Sequence, residues 1–371
     1  MKKDFHEKCF DEATQTKLKV FKRYIRNWIP VFMTDSPSTN WCKRINIYDL
    51  FSGPGSDADG AFGTPLIIQN ELKAYCEAHS EIKKNIQVNL IFNDQEKRHI
   101  DSLKMQIDQN RCAQNCCCFS YYAKPFSEVV DELLPEMKQS DSANLILLDQ
   151  FGIKEILPKT ISYLLAASAT DILFFISTSA IRRFAKQPEF EEKLTIPEIK
   201  EVEYNLIHRH LTEWFEKETK VKNTFFAPFS IKKGSNIYGL VFASKNMLGI
   251  EKFLDVCWNL DPLTGEANYN IDGEITWRGQ MSLFESDKKV TKMVVFETEL
   301  LEFINKQSPT NRAVYCFGLK HGFHSSKCKE ALDALQNSKK IKTIEIISGK
   351  KARKGAFYLK DNSDRIQFKG V

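Results

Sequence analysis

Long apolar runs are missing from this chain. None of its 371 residues falls in a stretch of about 18 consecutive apolar residues, the minimum for a membrane-crossing helix, so no membrane span is expected. The opening Met1-Lys2-Lys3-Asp4-Phe5-His6 is too polar for a secretory signal. Zinc-finger spacing is also missing. His321 and His324 do not stand at ligand intervals from Cys316 and Cys328, and His208 and His210 are two apart in a helix-like stretch and share no face. Internal repeats and low-complexity tracts are absent. The ten cysteines, without a secretory signal, are expected as reduced thiols in a cytoplasm. Cys116, Cys117 and Cys118 invite a metal reading together with Cys112. Consecutive strand residues point to opposite faces, however, so buried apolar thiols are expected instead.

What is present is an ordinary globular composition, 42% hydrophobic and 27% charged, enough to bury two or three domain cores. The net charge of +5 is unevenly spread. Residues 291–371 hold 16 Lys+Arg against 8 Asp+Glu, a net of +8, and the remainder holds 37 against 40, a net of −3. The basic excess favours an acidic partner at the C-terminal end.

Residues 14–33 read as an amphipathic helix. Leu18, Phe21, Ile25, Trp28 and Ile29 lie on one face, with Lys17, Lys19, Lys22, Arg23 and Arg26 around it. That basic face is expected to be solvated, the alternative being contact with nucleic-acid phosphate. Strand-like runs follow at 45–51, 86–92, 116–122, 144–149 and 171–177, with helical stretches between them at 65–78, 95–109, 126–138 and 158–168. This alternation predicts a Rossmann-like, doubly wound parallel sheet. Thr64 and Pro65 mark one helix start, as N-cap and first turn. Residues 188–219 are polar and helix-prone. Phe225–Ile231 and Ile237–Ala243 then read as an antiparallel hairpin. Five parallel strands ending in such a hairpin are typical of class I methyltransferases. The domain reading is an N-terminal helix (1–40), a Rossmann domain (41–261), a linker (262–290) and a C-terminal domain (291–371). In that last part, helices at Glu299–Lys306, Asn311–Lys320 and Ser325–Asn337 precede strands at Lys342–Ile347 and Ala356–Leu359, which is a winged-helix layout.

The chemistry is expected at strand ends. Ile45–Asp49 runs into Leu50-Phe51-Ser52-Gly53-Pro54-Gly55, an apolar strand that ends in an acid and breaks into a glycine loop. Gly53 and Gly55 lack a Cβ and let a ligand approach the main chain. No Gly-Lys-Ser/Thr follows, so this is not a triphosphate loop, and the third glycine of a dinucleotide fingerprint is missing. Asp94, past the second strand, can accept from ribose hydroxyls or cap the next helix. Asp149-Gln150-Phe151-Gly152 ends the fourth strand. An acid followed by an aromatic there resembles the Asp/Asn-Pro-Pro-Tyr/Phe element of amino-methylating enzymes, with Gln150 in place of the first proline. A helix cap or accepted backbone hydrogen bonds are the alternative for Asp149, the lesser of the two readings.

Taken together, these segments resemble the three-Cys-motif partner (TcmP) family of bacterial, class I methyltransferase-like proteins. The resemblance rests on Lys17…Tyr24…Trp28, Asp49–Gly55, Gly63-Thr64-Pro65-Leu66, Asp149–Gly152 and Trp258–Tyr269, and covers roughly residues 14–290. The tail is similar to the winged-helix module appended to such proteins. The resemblance implies S-adenosylmethionine (SAM) as cofactor, with Asp49, Phe51, Gly53, Gly55 and Asp94 around it and Asp149 and Phe151 at the methyl-transfer site. It also implies a radical-SAM-like three-Cys-motif protein as partner. Nucleic acid is the expected acidic partner, on Lys350, Lys351, Arg353 and Lys354 of the hairpin and on Ser325, Lys327 and Lys329 of the preceding helix. A non-catalytic nucleic-acid-binding subunit with a vestigial or regulatory SAM pocket is the alternative. A metal-dependent nuclease using Asp49, Asp57, Asp59 and Asp149 is the third reading.

Overall fold

The computed structural model describes residues 9–79, 82–83, 85–111, 116–150, 155–167, 169–178, 181, 196, 199, 201–202, 206–271, 291–360 and 362–371. Two compact units divide the chain, Met1–Gly249 and Ile250–Val371.

The first unit is built on a seven-stranded sheet. Its strands are β1 (Arg44–Asp49), β2 (Gln87–Asn93), β3 (Cys118–Tyr122), β4 (Ser142–Leu148), β5 (Thr170–Ile176), β6 (Phe225–Lys233) and β7 (Asn236–Ser244). Their order is β3-β2-β1-β4-β5-β7-β6. β1 to β5 pair in parallel, and β7 runs antiparallel to both β5 and β6. This is the Rossmann-like sheet with a terminal hairpin that the alternating pattern predicts. The helices that join the strands are α2 (Thr64–Ala78), α3 (Lys97–Gln109), α4 (Phe126–Met137) and α5 (Pro158–Leu165). The helix before the hairpin is α6 (Ile207–Glu218), at the end of the helix-prone 188–219 segment, most of whose remainder lies outside the described residues. Gly63, not Thr64, is the N-cap of α2, and Thr64 and Pro65 occupy its first turn.

Register across the sheet is fixed by a buried polar rung. Asn46 of β1 lies opposite Asn89 of β2 and Asn144 of β4. Asn89 Nδ2 donates to Asn46 Oδ1 (2.8 Å), and Asn46 Nδ2 donates to Asn144 Oδ1 (3.1 Å). Asn144 Nδ2 in turn donates to Thr170 of β5 and to the Met137 carbonyl. A one-residue slip would turn these amides out of line and leave them unsatisfied among apolar neighbours, which is costly.

The N-terminal helix α1 (Glu12–Met33) packs on this unit. Asp11 caps it by accepting from the Thr14 N–H (2.9 Å). Phe21, Tyr24, Ile25, Trp28 and Ile29 are buried at 0–2% exposure. At about 1.5–3 kcal/mol for each large apolar side chain, this burial dominates the attachment. Tyr24 and Trp28 also reach a buried carboxylate at the start of β5. Tyr24 Oη (2.8 Å) and Trp28 Nε1 (2.9 Å) donate to Asp171 Oδ2, and Ser244 Oγ of β7 donates to Oδ1. Lys19, Lys22, Arg23 and Arg26 are exposed as expected, but Lys17 is buried.

The second unit begins inside α7 (Met247–Leu260), earlier than the expected boundary at 261. The reason is the packing of its latter half: Trp258 lies against Phe323 (5.3 Å), and its Nε1 donates to the Gly322 carbonyl (2.8 Å). Residues 262–271, expected as linker, form a built turn. The Asp261 carboxylate accepts from the backbone N–H groups of Leu263, Thr264, Glu266 and Ala267. Glu266 pairs with Lys292 (2.5 Å). The rest of the expected linker, 272–290, lies outside the described residues. Helices α8 (Lys292–Gln307), α9 (Asn311–Lys320) and α10 (Ser325–Asn337) precede β8 (Ile341–Glu345) and β9 (Ile366–Gly370). The expected second strand at Ala356–Leu359 is thus replaced by β9, which pairs antiparallel with β8 from Ile341–Gly370 to Glu345–Ile366. Phe357 and Leu359 are buried without joining a strand, which accounts for their apolar character. No described helix is long and apolar enough to cross a membrane.

Candidate functional site at the sheet switch point

In a doubly wound sheet, ligands bind outside the carboxyl ends of the strands where the order reverses. Here that point lies between β1 and β4, which are neighbours with their crossovers on opposite sides. Asp49 ends β1 and Asp149 follows the last residue of β4, so the two acids flank the crevice.

Asp49 is 1% exposed. Its Oδ1 accepts from the Phe51 N–H (3.3 Å), and its Oδ2 has no hydrogen-bond partner among the described residues. Burial, reinforced by the neighbouring Asp149 charge, pushes its carboxyl up to about 8. An orphaned, buried carboxylate oxygen is costly unless a ligand supplies the missing donor.

Asp149 is held by Lys17. The Lys17 ammonium forms an ion pair with Asp149 Oδ2, with side-chain exposures of 10% and 22%. The same ammonium lies 4.8 Å from the centroid of the Phe175 ring of β5, and Phe175 stacks on Tyr238 of β7 (5.3 Å). The helical pattern of the sequence puts Lys17 on a solvated face; only the fold brings it to the sheet edge. Lys17, Tyr24 and Trp28 recur at helical spacing, and this was the one available signal that they share a face.

The glycine loop turns sharply. Gly53 and Gly55 have φ of +61° and +99°, values that side chains other than glycine rarely adopt. The two glycines then differ. A Cβ on Gly55 would stand 2.8 Å from Leu103 of α3, so its missing side chain serves helix packing rather than open access to a ligand. Gln106 Nε2 closes the same contact by donating to the Pro54 carbonyl (2.7 Å). Gly53 donates its N–H to Asp94 Oδ2 (3.1 Å). Phe51 stacks on Phe126 of α4 at 4.9 Å.

Asp94 ties the loop to α3. Besides Gly53, it accepts from the Glu96 N–H (2.8 Å) and meets His99 Nδ1 at 3.1 Å. A carboxylate offers about four acceptor positions, so about one remains for a further donor. The loop beyond Gly55 is closed by Asp57, whose carboxylate accepts from the backbone N–H groups of Phe10, Asp59 and Ala61. Burial works to raise Asp57, but these backbone donors outweigh it and hold the group below the usual carboxylate range. Asp57 is thus committed to a turn. Among the described residues no three His, Cys, Asp or Glu side chains converge to hold a metal, so the nuclease reading has no donor set there.

Gln150 is buried, and its Oε1 accepts from the Glu155 N–H (3.1 Å). Phe151, the expected stacking aromatic, lies outside the described residues. In the second unit Lys350, Lys351, Arg353 and Lys354 are all exposed, as is Lys329. Lys327 pairs with Glu330 (2.8 Å) and lies over Trp258. Ser325 departs from expectation. It is 5% exposed, and both its N–H and its hydroxyl donate to Glu251 of α7, so phosphate contact by Ser325 is ruled out by its own packing.

No protein-family model and no curated protein matches the sequence. Solved structures similar to the chain include three methyltransferases. Trm1 from Pyrococcus horikoshii with SAM is 12% identical, over 66% of this chain and 59% of that one, with a TM-score of 0.37. An O-methyltransferase from Bacillus cereus with SAH is 9% identical, over 63% and 90%, at 0.35. TomG from Streptomyces achromogenes, an O-methyltransferase in complex with SAM, is 10% identical over 63% and 90%, at 0.32. Likeness at this level adds nothing to the strand order itself; what the chain possesses on its own account is a class I methyltransferase-type sheet with two acids at its switch point.

Proposed function

We propose that the chain is a SAM-binding, methyltransferase-like protein that acts on or with nucleic acid. The observation that carries the first half is the orphaned Asp49 Oδ2 at the switch point, beside the positive-φ turn at Gly53. These residues fit SAM: a buried carboxylate oxygen awaiting a donor suits the ligand's ammonium group. The remaining acceptor position of Asp94 suits a ribose hydroxyl, and Phe51 walls the site from the α4 side. SAM supplies a methyl group on a sulfonium leaving group, so the protein's task is orientation more than strong base catalysis. Asp149 would orient the nucleophile, with Phe151 stacking on a base.

The nucleic-acid half rests on the second unit. A backbone bridge joins Thr310, between α8 and α9, to Gln367 of β9, and β9 lies beside β8. Three helices with such a three-part ribbon support a winged-helix reading, with residues 346–365 as the wing. The exposed cations at 350–354 lie in that wing and would contact phosphates. The radical-SAM-like partner rests on the family resemblance alone.

A second reading, a non-catalytic subunit with a regulatory pocket, is favoured by one observation: Asp149 is already taken by Lys17, and Gln150 stands where the amino-methylating element has proline. Calorimetric titration with SAM and SAH tests the pocket; absence of binding at near-millimolar ligand would sink the proposal. Incubation with methyl-labelled SAM and DNA, RNA or tRNA separates the two readings. Label transfer that is lost in Asp149→Ala is the enzymatic outcome, and binding without transfer is the regulatory one.

A further inference from the structure

Two carboxylates at one buried crevice cannot both carry charge cheaply without a cation. Asp49 and Asp149 face that problem at the ends of adjacent strands. The cation comes from neither strand nor loop but from α1, 27 positions before β1 begins at Arg44 (44−17). Lys17 is a costly residue to bury: a long, flexible ammonium side chain held at 10% exposure must find a partner. It chooses Asp149 and the Phe175 face, and leaves Asp49 Oδ2 unpartnered.

We propose that Lys17 is a positioning residue of the switch-point site. It compensates Asp149 and fixes it against β5, so that Asp49 stays the one acid of the pair open to a ligand's cation. The N-terminal helix is then part of the site, not only a helix packed on the domain. Tyr24 and Trp28 make this possible. Anchored on Asp171 two and three turns further along α1, they set the height at which Lys17 meets the sheet edge.

Among the described residues, the charged groups facing Asp49 are Asp149 just after β4, Lys17 from α1 and Asp94 after β2. His99 of α3 faces Asp94. Asp149 and Asp94 oppose ionisation of Asp49, and Lys17 favours it. Removal of Lys17 therefore leaves Asp149 uncompensated and makes Asp49 harder to ionise. Removal of both Lys17 and Asp149 charges reverses that effect.

This inference rests on the reading of the crevice as a ligand site, yet its test needs no ligand. The titration of Asp49 is followed in the full chain by NMR of carboxyl-labelled aspartate, assigned with Asp49→Asn. The variants are Lys17→Met and the double variant Lys17→Met/Asp149→Asn, which keeps the site neutral where the single variant strains the fold. The Asp49 midpoint is expected to rise by about one pH unit or more in Lys17→Met and to fall back to or below the wild-type value in the double variant. A midpoint that is the same in all three proteins would overturn the proposal and leave Lys17 a packing residue. Calorimetry with SAH on the same proteins then separates the two claims. If the midpoint moves but wild-type protein binds no SAH, the SAM reading fails while the role of Lys17 stands.

Discussion

At the scale of single residues, Asp49 is the group that function and stability pull in opposite directions. Its carboxyl titrates near 8 in the folded chain, against about 4 in an unfolded one. Between those values the folded protein holds a proton that the unfolded chain has released, so stability falls as pH rises through the window. The contribution is full below about pH 4 and gone above about pH 8. Asp49→Asn removes the titration. Its melting temperature should exceed that of the wild type by a margin that grows from pH 5 to pH 8, while SAM affinity drops at least tenfold. Thermal melts at the two pH values and calorimetry check this. A margin independent of pH would mean that Asp49 is already ionised in the fold. The same residue predicts that SAM binds more tightly as pH rises toward 8, because an ammonium ligand pairs with the ionised acid.

At the scale of elements, α1 is held by apolar burial and aimed by polar contacts. Its ion pairs to α2 join exposed cations, Lys22 and Arg26, to the buried Glu71 carboxylate, which Arg26 meets through Nε (2.7 Å) and one terminal nitrogen (3.1 Å). The Asp171 hub is different, because all of its donors are buried with it. Asp171→Asn replaces one acceptor oxygen by an amide donor facing Tyr24, Trp28 or Ser244. The expected cost is about 1–3 kcal/mol, one buried donor left unpaired. Urea unfolding measures it, and loss of near-ultraviolet signal from Trp28 locates it. Stability equal to the wild type would show that the hydrogen bonds at Asp171 are replaceable by packing. A Cβ at Gly249 would sit 2.7 Å from the Asp171 carboxylate, so the hub also dictates glycine at that position of α7.

At the scale of the whole molecule, charge separates the two units. The sheet unit places acids at its ligand edge, whereas the C-terminal unit places cations in the segment between β8 and β9. Helix α10 is not strongly basic on its exposed face, because Lys327 is paired with Glu330. The β8–β9 segment therefore carries most of the proposed phosphate contact. Replacing Lys350, Lys351, Arg353 and Lys354 together by Ala should weaken duplex binding and reduce the slope of log affinity against log salt by roughly 3–4, near one per lost contact. SAM binding should be untouched. Fluorescence anisotropy at several salt concentrations reads this, and an unchanged slope would remove the nucleic-acid contact from that segment.

Most of the fold was legible in the sequence because it is local. Apolar runs of strand length, alternating with amphipathic stretches, determine the five parallel strands, their helices and the β6–β7 hairpin through side-chain periodicity alone. The acids at strand ends were legible for the same reason: Asp49 and Asp149 stand where an apolar run stops. The second strand of the C-terminal ribbon was not, since Phe357 and Leu359 are buried as a loop and period cannot distinguish that from a strand. Strand order, the asparagine rung and the charge pairing were decided only by tertiary structure. Nothing near Lys17 in the chain announces Asp149, which is 132 positions away. Contacts of that span depend on which elements become neighbours, and local pattern does not encode this. The sequence by itself determined that a strand ends in an acid and a glycine turn; the fold decided that Asp49 Oδ2 is left without a partner among the described residues, because Lys17, the cation that α1 brings to the crevice, pairs with Asp149 instead.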